Sequence, residues 1–285
     1  MPSLRELLTF DPAGPNRFGS RANQVNRGGF LFGGQLLAQS LCAAALTVNA
    51  KRPHSLQVSF EDAGRADETT VYEVHESHEG RSLSTRRVVA TQGNNLVLCA
   101  MASFTAHDSG FEHSCGWLSP PPPADSLMSL EEVAHRYGDR VTQHGKGRLS
   151  TYPQVEIRLI DVEQHLLLKA GPARSRFWIR AAGDLPRDPP AGAAVLSYLS
   201  DYLLINAALI PHVAEIPDEH LFVASINHSM WFHAQVDPSQ WMFFEIESPW
   251  AGNGRTLCCG RIFTGQGRLI ASVTQEAMVR RRQSV

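Results

Sequence analysis

Hydrophobic and polar positions along the chain fall into two alternating regimes. Gly28 to Ala50 carries no charged residue, and Ala191 to Ile210 carries one. Stretches that long and apolar almost all round predict helices buried on every side. Pro211 is read as the end of the second. After each helix the period changes to that of β-strands. The first set covers His54–Phe60, Thr69–Ser77, Ser84–Ala90 and Leu96–Ala106, and the second Phe222–His233, Met242–Glu247, Thr256–Phe263 and Leu269–Val279. Turn signals separate the strands at Glu79-Gly80, Gly93-Asn94-Asn95, Gly252-Asn253-Gly254 and Gln266-Gly267. Two earlier runs, Gln154–Ile160 and Arg176–Arg180, precede the second helix. One buried helix laid on an antiparallel sheet is an α+β layering.

The two sets are related by a repeat. His54-Ser55-Leu56 recurs as His228-Ser229-Met230, and Arg87-Val88-Val89 as Arg261-Ile262-Phe263; 228 − 54 and 261 − 87 both equal 174. Several matches in order at one offset indicate duplication. A sheet wrapped around one central helix is a hot-dog domain, and two in one chain are expected to pack as an intramolecular pseudo-dimer. Pro120 to Pro123 is a stiff linker. Ser129 with Glu132 three positions on forms a capping box that opens a short helix toward Tyr137. The predicted division is therefore 1–110 for one hot-dog domain, 111–150 for the linker and short helix, and 151–285 for the second domain.

Composition narrows the function classes. Of 285 residues 43% are hydrophobic and 19% charged, which excludes a disordered or collagen-like chain. Net charge is −2, so no chain-wide basic field argues for nucleic acid. Of the 26 basic residues 23 are arginine, the better fork for local phosphate contacts. Five scattered cysteines match neither a disulfide framework nor a zinc knuckle, and a reducing cytoplasm is the expected compartment. No secretory signal or membrane-spanning run is expected.

Asp201 is the outlier of the second helix. A carboxylate among Val195, Leu199, Leu203 and Leu204 is hydrogen-bonded, paired or protonated, or else lies on a narrow exposed side. The first helix has Gln35 near the equivalent position, and aligning the last strands places Ala102 opposite Gln275. The polar positions therefore belong to the second copy. Gln275 shares a strand face with Val273; it is either an edge residue or part of a site, and Ser225 is a strand hydroxyl of similar ambiguity. His75 and His78 are three apart on a strand and point to opposite faces, so no metal is expected. His228, in Asn227-His228-Ser229-Met230-Trp231-Phe232-His233, is read as packing beside the aromatic residues. There is no G-x-S-x-G elbow, dinucleotide fingerprint or phosphate loop. Neither covalent catalysis nor a cofactor is indicated.

The strings Leu31-Phe32-Gly33-Gly34-Gln35, Gly80-Arg81-Ser82-Leu83-Ser84-Thr85-Arg86-Arg87, Met101-Ala102-Ser103-Phe104 and Gly110-Phe111-Glu112-His113 resemble the type II acyl-CoA thioesterases. Ser200-Asp201-Tyr202, His228 to His233 and Gln275-Glu276 extend the likeness to nearly the whole chain. The resemblance implies a double hot-dog fold that hydrolyses fatty acyl-CoA. It implies a catalytic trio of Asp201, Ser225 and Gln275, with Ser225 where some members have threonine. It also places Gly33, Gly34, His54, Arg86 and Arg87 on the substrate side, with backbone N–H groups near Gly33-Gly34 as oxyanion donors. Asp62-Ala63-Gly64 departs from the usual Arg-Pro-Gly turn and loses a cation, and Asn227 replaces a common aspartate. Arg280-Arg281-Arg282 ends in no peroxisomal address and reads as a solvated tail rather than a phosphate site. Two other readings stand beside hydrolysis: a hot-dog enoyl-CoA hydratase or dehydratase, and a non-catalytic acyl-CoA binding module. Exposed sheet edges make a homo-oligomer the expected further assembly.

Overall fold

The computed structural model describes residues 1–26, 28–106, 109–141, 149, 153–186, 190–216 and 221–281. The terminal Arg282 to Val285 lie outside them; of the three arginines read as a solvated tail, Arg280 and Arg281 instead close the last strand. The described strands and helices sort into two compact units interleaved along the chain. The first comprises Met1–Ser114, Gly183–Tyr202 and Asn227–Pro238, and the second Cys115–Ala182, Leu203–Ile226 and Ser239–Val285. Compactness thus groups Gly183–Tyr202 with the N-terminal part of the chain, across the contiguous division at 111–150.

In the first unit the strands are β1 (Phe10–Gly14), β2 (Arg17–Ser20), β3 (Arg52–Phe60), β4 (Val71–Glu79), β5 (Leu83–Gln92), β6 (Asn95–Thr105) and the later half of β9 (Leu221–Phe232). They run antiparallel in the order β1-β2-β4-β5-β6-β3-β9. Strands β1 and β2 were not expected, because Pro12 and Gly14 interrupt the alternation. Helix α1 (Leu4–Leu7) precedes them, and α2 (Gly33–Ala45) lies on the sheet. Alternation holds along β5, where Ser84, Arg86, Val88, Ala90 and Gln92 are buried. Val88, Ala90, Leu98, Ala100 and Ala102 pack against Leu37 and Leu41 of α2. Burying leucines of this kind contributes roughly 2 kcal/mol apiece. The repeated strands pair directly: Leu56 lies opposite Met230, the residues related by the 174 offset.

In the second unit β7 (Val155–Leu159), β8 (Arg174–Ala181), β10 (Met242–Gly252), β11 (Arg255–Thr264) and β12 (Leu269–Arg281) join the first half of β9. The order is β9-β12-β11-β10-β8-β7. Helix α3 (Leu130–Tyr137) opens with the expected capping box, Ser129 Oγ accepting from the Glu132 amide at 3.1 Å. A one-turn helix α4 (Val162–His165) joins β7 to β8.

The second apolar stretch is not one helix. It forms α5 (Ala191–Ser200), breaks, and resumes as α6 (Asn206–Leu209) and a 3-10 segment, Ile210–Glu215. Pro211 stands at the start of that last segment rather than closing a helix. The break contains Leu203 at φ +59°, a left-handed conformation unusual for a residue with a side chain. Helix α5 packs on α2 within the first unit, and α6 lies on β8, β10 and β11 of the second. Among the described residues no helix is long and apolar enough to cross a membrane.

Candidate active site

Asp201 follows the last residue of α5 as its C-cap and is half-buried. It therefore stands at a helix end rather than inside an apolar helix, which corrects the sequence reading. A carboxylate at a helix C-terminus faces the negative end of that helix dipole, and compensation has to come from elsewhere. The N-terminus of α2 lies against that carboxylate. A methyl group built on Gly33 would sit 2.7 Å from Asp201 Oδ2, so the carboxylate rests directly on the first turn of that helix. Phe32, the N-cap, donates no side chain to the turn. Gly34 is walled in differently, by the Tyr198 carbonyl and the Phe32 ring, so its missing side chain is what lets α5 approach α2.

The other two members of the expected trio meet in the second unit. Gln275 is buried on β12 in the row Ala271, Val273, Gln275, Ala277, as strand alternation requires. Its Nε2 donates to Ser225 Oγ on β9 at 2.6 Å. Because the amide already donates to that oxygen, the serine O–H is left to point at a further acceptor. Asp201 with Gly33, and Ser225 with Gln275, are thus two polar pairs, one in each unit.

The expected substrate-side residues separate. Arg86 is not free for a phosphate: it is buried, and its nitrogens donate to Glu79 Oε2, Thr47 Oγ1, Thr47 O and His78 O. It is an internal strut that ties β5 to the end of α2. Glu79 also takes Lys51 and Ser84, and these three donors hold its carboxyl down at about 2. Arg87, next along β5, is exposed. His54 on β3 is half-buried, and burial lowers its pKa. Its counterpart His228 is fully buried, with Nε2 3.0 Å from Ser200 Oγ, a polar partner that the aromatic neighbours had hidden. His75 Nε2 lies 3.3 Å from Glu73. Among the described residues no group of three or more metal-ligating side chains forms. A cavity of about 290 Å³ in the second unit is lined by Asp161, Arg176, Glu245 and Arg261 among others, outside the Ser225–Gln275 pair.

Buried Gln35 of α2 explains what replaces a carboxylate in the first helix. Its Oε1 accepts from the Gln24 amide, and its Nε2 donates to Asn23 Oδ1 at 2.9 Å and Gln39 Oε1 at 3.0 Å. Tyr72 O–H donates to the same Gln39 oxygen at 2.6 Å. Every polar group is spoken for, so this position holds structure rather than chemistry.

Antiparallel strands wrapped on a buried helix define the hot-dog class, and a hot-dog protein from Alicyclobacillus acidocaldarius superposes with TM-score 0.74 over 98% of each chain, at 16% identity. Two family models match: acyl-CoA thioesterase over residues 157–278, and acyl-CoA thioesterase N-terminal domain over residues 22–105. Acyl-coenzyme A thioesterase 8 of Mus musculus is 33% identical, covering 99% of this chain and 90% of its own. Acyl-CoA thioesterase 2 of Haemophilus influenzae is 32% identical, covering 88% and 87%. The crystal structure of acyl-CoA thioesterase II from Mycobacterium marinum matches with TM-score 0.80 at 30% identity, covering 99% of both chains. The chain belongs to the acyl-CoA thioesterase family.

Proposed function

We propose that this chain hydrolyses acyl-CoA thioesters to free fatty acid and CoA, and that Asp201, Ser225 and Gln275 carry the reaction. A water oxygen attacks the thioester carbonyl carbon while Asp201 accepts its proton. Ser225 and Gln275 join Asp201 in holding that water by hydrogen bonds, and backbone N–H groups around Gly33-Gly34 stabilise the tetrahedral oxyanion. The C–S bond then breaks, and the proton held by Asp201 goes to the CoA thiolate. Asp201 suits the role of base because its carboxylate rests on the first turn of α2, the positive end of that helix dipole.

The observation that carries the assignment is the 2.6 Å Gln275–Ser225 bond, which joins two residues 50 positions apart that the resemblance places in one trio. The decisive experiment is Asp201→Asn with thiol release measured on acyl-CoA. Turnover is expected to fall by about 10²–10³; near-normal turnover sinks the assignment. A parallel crotonyl-CoA hydration assay is expected to be negative.

The same reading extends to organisation. The Leu56–Met230 pairing on β3 and β9 supports a pseudo-dimer of two repeats, with 1–110, 111–150 and 151–285 as its evolutionary pieces. End strands β1 and β7 are the edges through which a homo-oligomer would form. The cytoplasm is the compartment this reading favours.

A further inference from the structure

Asp201 is flanked by two residues whose side chains are both tied down. On one side is Ser200. Its hydroxyl donates to Ser197 O at 2.8 Å and lies 3.0 Å from His228 Nε2. A hydroxyl that spends its single proton on a carbonyl can only accept from the imidazole, so His228 carries its proton on Nε2. Both residues are fully buried, and His228 sits on β9 three positions beyond Ser225. On the other side is Tyr202, 6% exposed. Its hydroxyl lies 2.8 Å from that of Tyr198, which in turn donates to Gln24 Oε1 at 2.7 Å. Tyr198 has no second proton, so Tyr202 is the donor to it. The Phe32 ring stands edge-on to both tyrosines, with centroids 5.3 Å and 4.9 Å away.

We propose that these two chains of hydrogen bonds, Ser200–His228 and Tyr202–Tyr198–Gln24, form a clamp that positions the Asp201 carboxylate on Gly33. The proposal rests on the reading of Asp201 as the catalytic base. A helix end is the part of a helix that frays, because its last carbonyls have no partner within the helix. Here the chain also leaves α5 into Leu203 at φ +59°, away from any regular continuation. Backbone hydrogen bonding alone fixes such a turn poorly. A base has to be held within about 0.5 Å of its working position, and the side chains on either side of Asp201 do the holding. Each anchor reaches a different element: His228 is on β9, and Gln24 precedes α2, where its own amide is bound by Gln35. Ser200, His228, Tyr198, Tyr202 and Gln24 are accordingly positioning residues.

The test compares Ser200→Ala, Tyr202→Phe and His228→Gln with Tyr72→Phe. Tyr72→Phe deletes an equally buried hydroxyl on β4 that donates to Gln39 and is hydrogen-bonded to none of the five positioning residues. Kinetics on acyl-CoA are measured at a temperature well below every variant's melting point. Ser200→Ala and Tyr202→Phe are expected to lower kcat about ten-fold or more, with KM held within about two-fold. His228→Gln keeps a donor near the Nε2 position and is expected to retain more activity than His228→Ala. Tyr72→Phe is expected to lower the melting temperature and leave kcat unchanged. Equal kcat values in Ser200→Ala, Tyr202→Phe and Tyr72→Phe overturn the clamp while Asp201→Asn remains inactive. An active Asp201→Asn overturns the assignment of the base, and the clamp with it.

Discussion

Replacing Gly33 by alanine adds one methyl group at the point where the first turn of α2 meets Asp201. That carbon would lie 2.7 Å from Oδ2, where ordinary contact begins at 3.4 Å, so the carboxylate has to retreat by about 0.7 Å. The carboxylate is the far end of a side chain, and it yields by rotating while the backbone stays in place. Gly33 has an ordinary helical φ, and alanine is the better helix former, so the fold loses nothing. The reaction does lose. A misplacement near 1 Å costs on the order of 10²-fold, which puts the expected fall in kcat between about ten-fold and a hundred-fold. In barrier terms that is roughly 1.4–2.7 kcal/mol. The neighbouring Gly34→Ala sets the contrast. Its methyl meets the Tyr198 carbonyl and the Phe32 ring, with a ring carbon at 2.5 Å, and the carbonyl, being backbone, cannot rotate away. Overpacking of this kind costs about 1–3 kcal/mol, a drop of several degrees in melting temperature. Thiol-release kinetics and thermal melts on the two variants separate the effects: Gly33→Ala is slow and stable, Gly34→Ala is unstable. Wild-type kcat in a well-folded Gly33→Ala protein would refute the view that Asp201 works from the position it occupies.

Two further outcomes follow from the same geometry. Gln275→Ala strands the Ser225 hydroxyl and is expected to cut kcat by about 10²–10³, whereas Ser225→Thr keeps the oxygen and is expected to stay within several-fold of wild type; steady-state kinetics decide both. The Arg86 strut gives a stability signature that is independent of activity. Glu79, held down at about 2 from an ordinary 4.5 by Lys51, Ser84 and Arg86, stabilises the fold fully above pH 4.5 and loses that contribution as pH falls toward 2. Arg86→Met is therefore expected to lower the melting temperature at pH 7 with kcat intact, and Glu79→Gln to narrow its deficit against wild type as the pH drops through that window, both read by thermal melts across pH.

What the chain reveals about itself divides along physical lines. Strands with clean alternation announce themselves, because one face must be buried: β3 to β6 and β9 to β12 fall within a few residues of where the pattern places them. Strands β1 and β2 escape because they are short, carry Pro12 and Gly14, and resemble a turn. The break after Ser200 leaves no mark either. Neither glycine nor proline stands there, and Leu203 adopts its left-handed conformation only because the surrounding fold imposes it. Asp201 was conspicuous for its charge, yet its meaning came from its placement: it ends a helix and leans on the start of another, a relation that no linear pattern records. Arg86 is the opposite case, since the information was available. It shares its strand face with Ser84, Val88 and Ala90, and that parity alone directs it inward, away from any phosphate. Motif likeness groups Arg86 with Arg87 as neighbours in a string; the strand period separates them, burying one and exposing the other. A polar residue in a strand is therefore best assigned a role only after its parity has been read, and by that rule Gln275 belongs on the buried row beside Val273, where the structure has it.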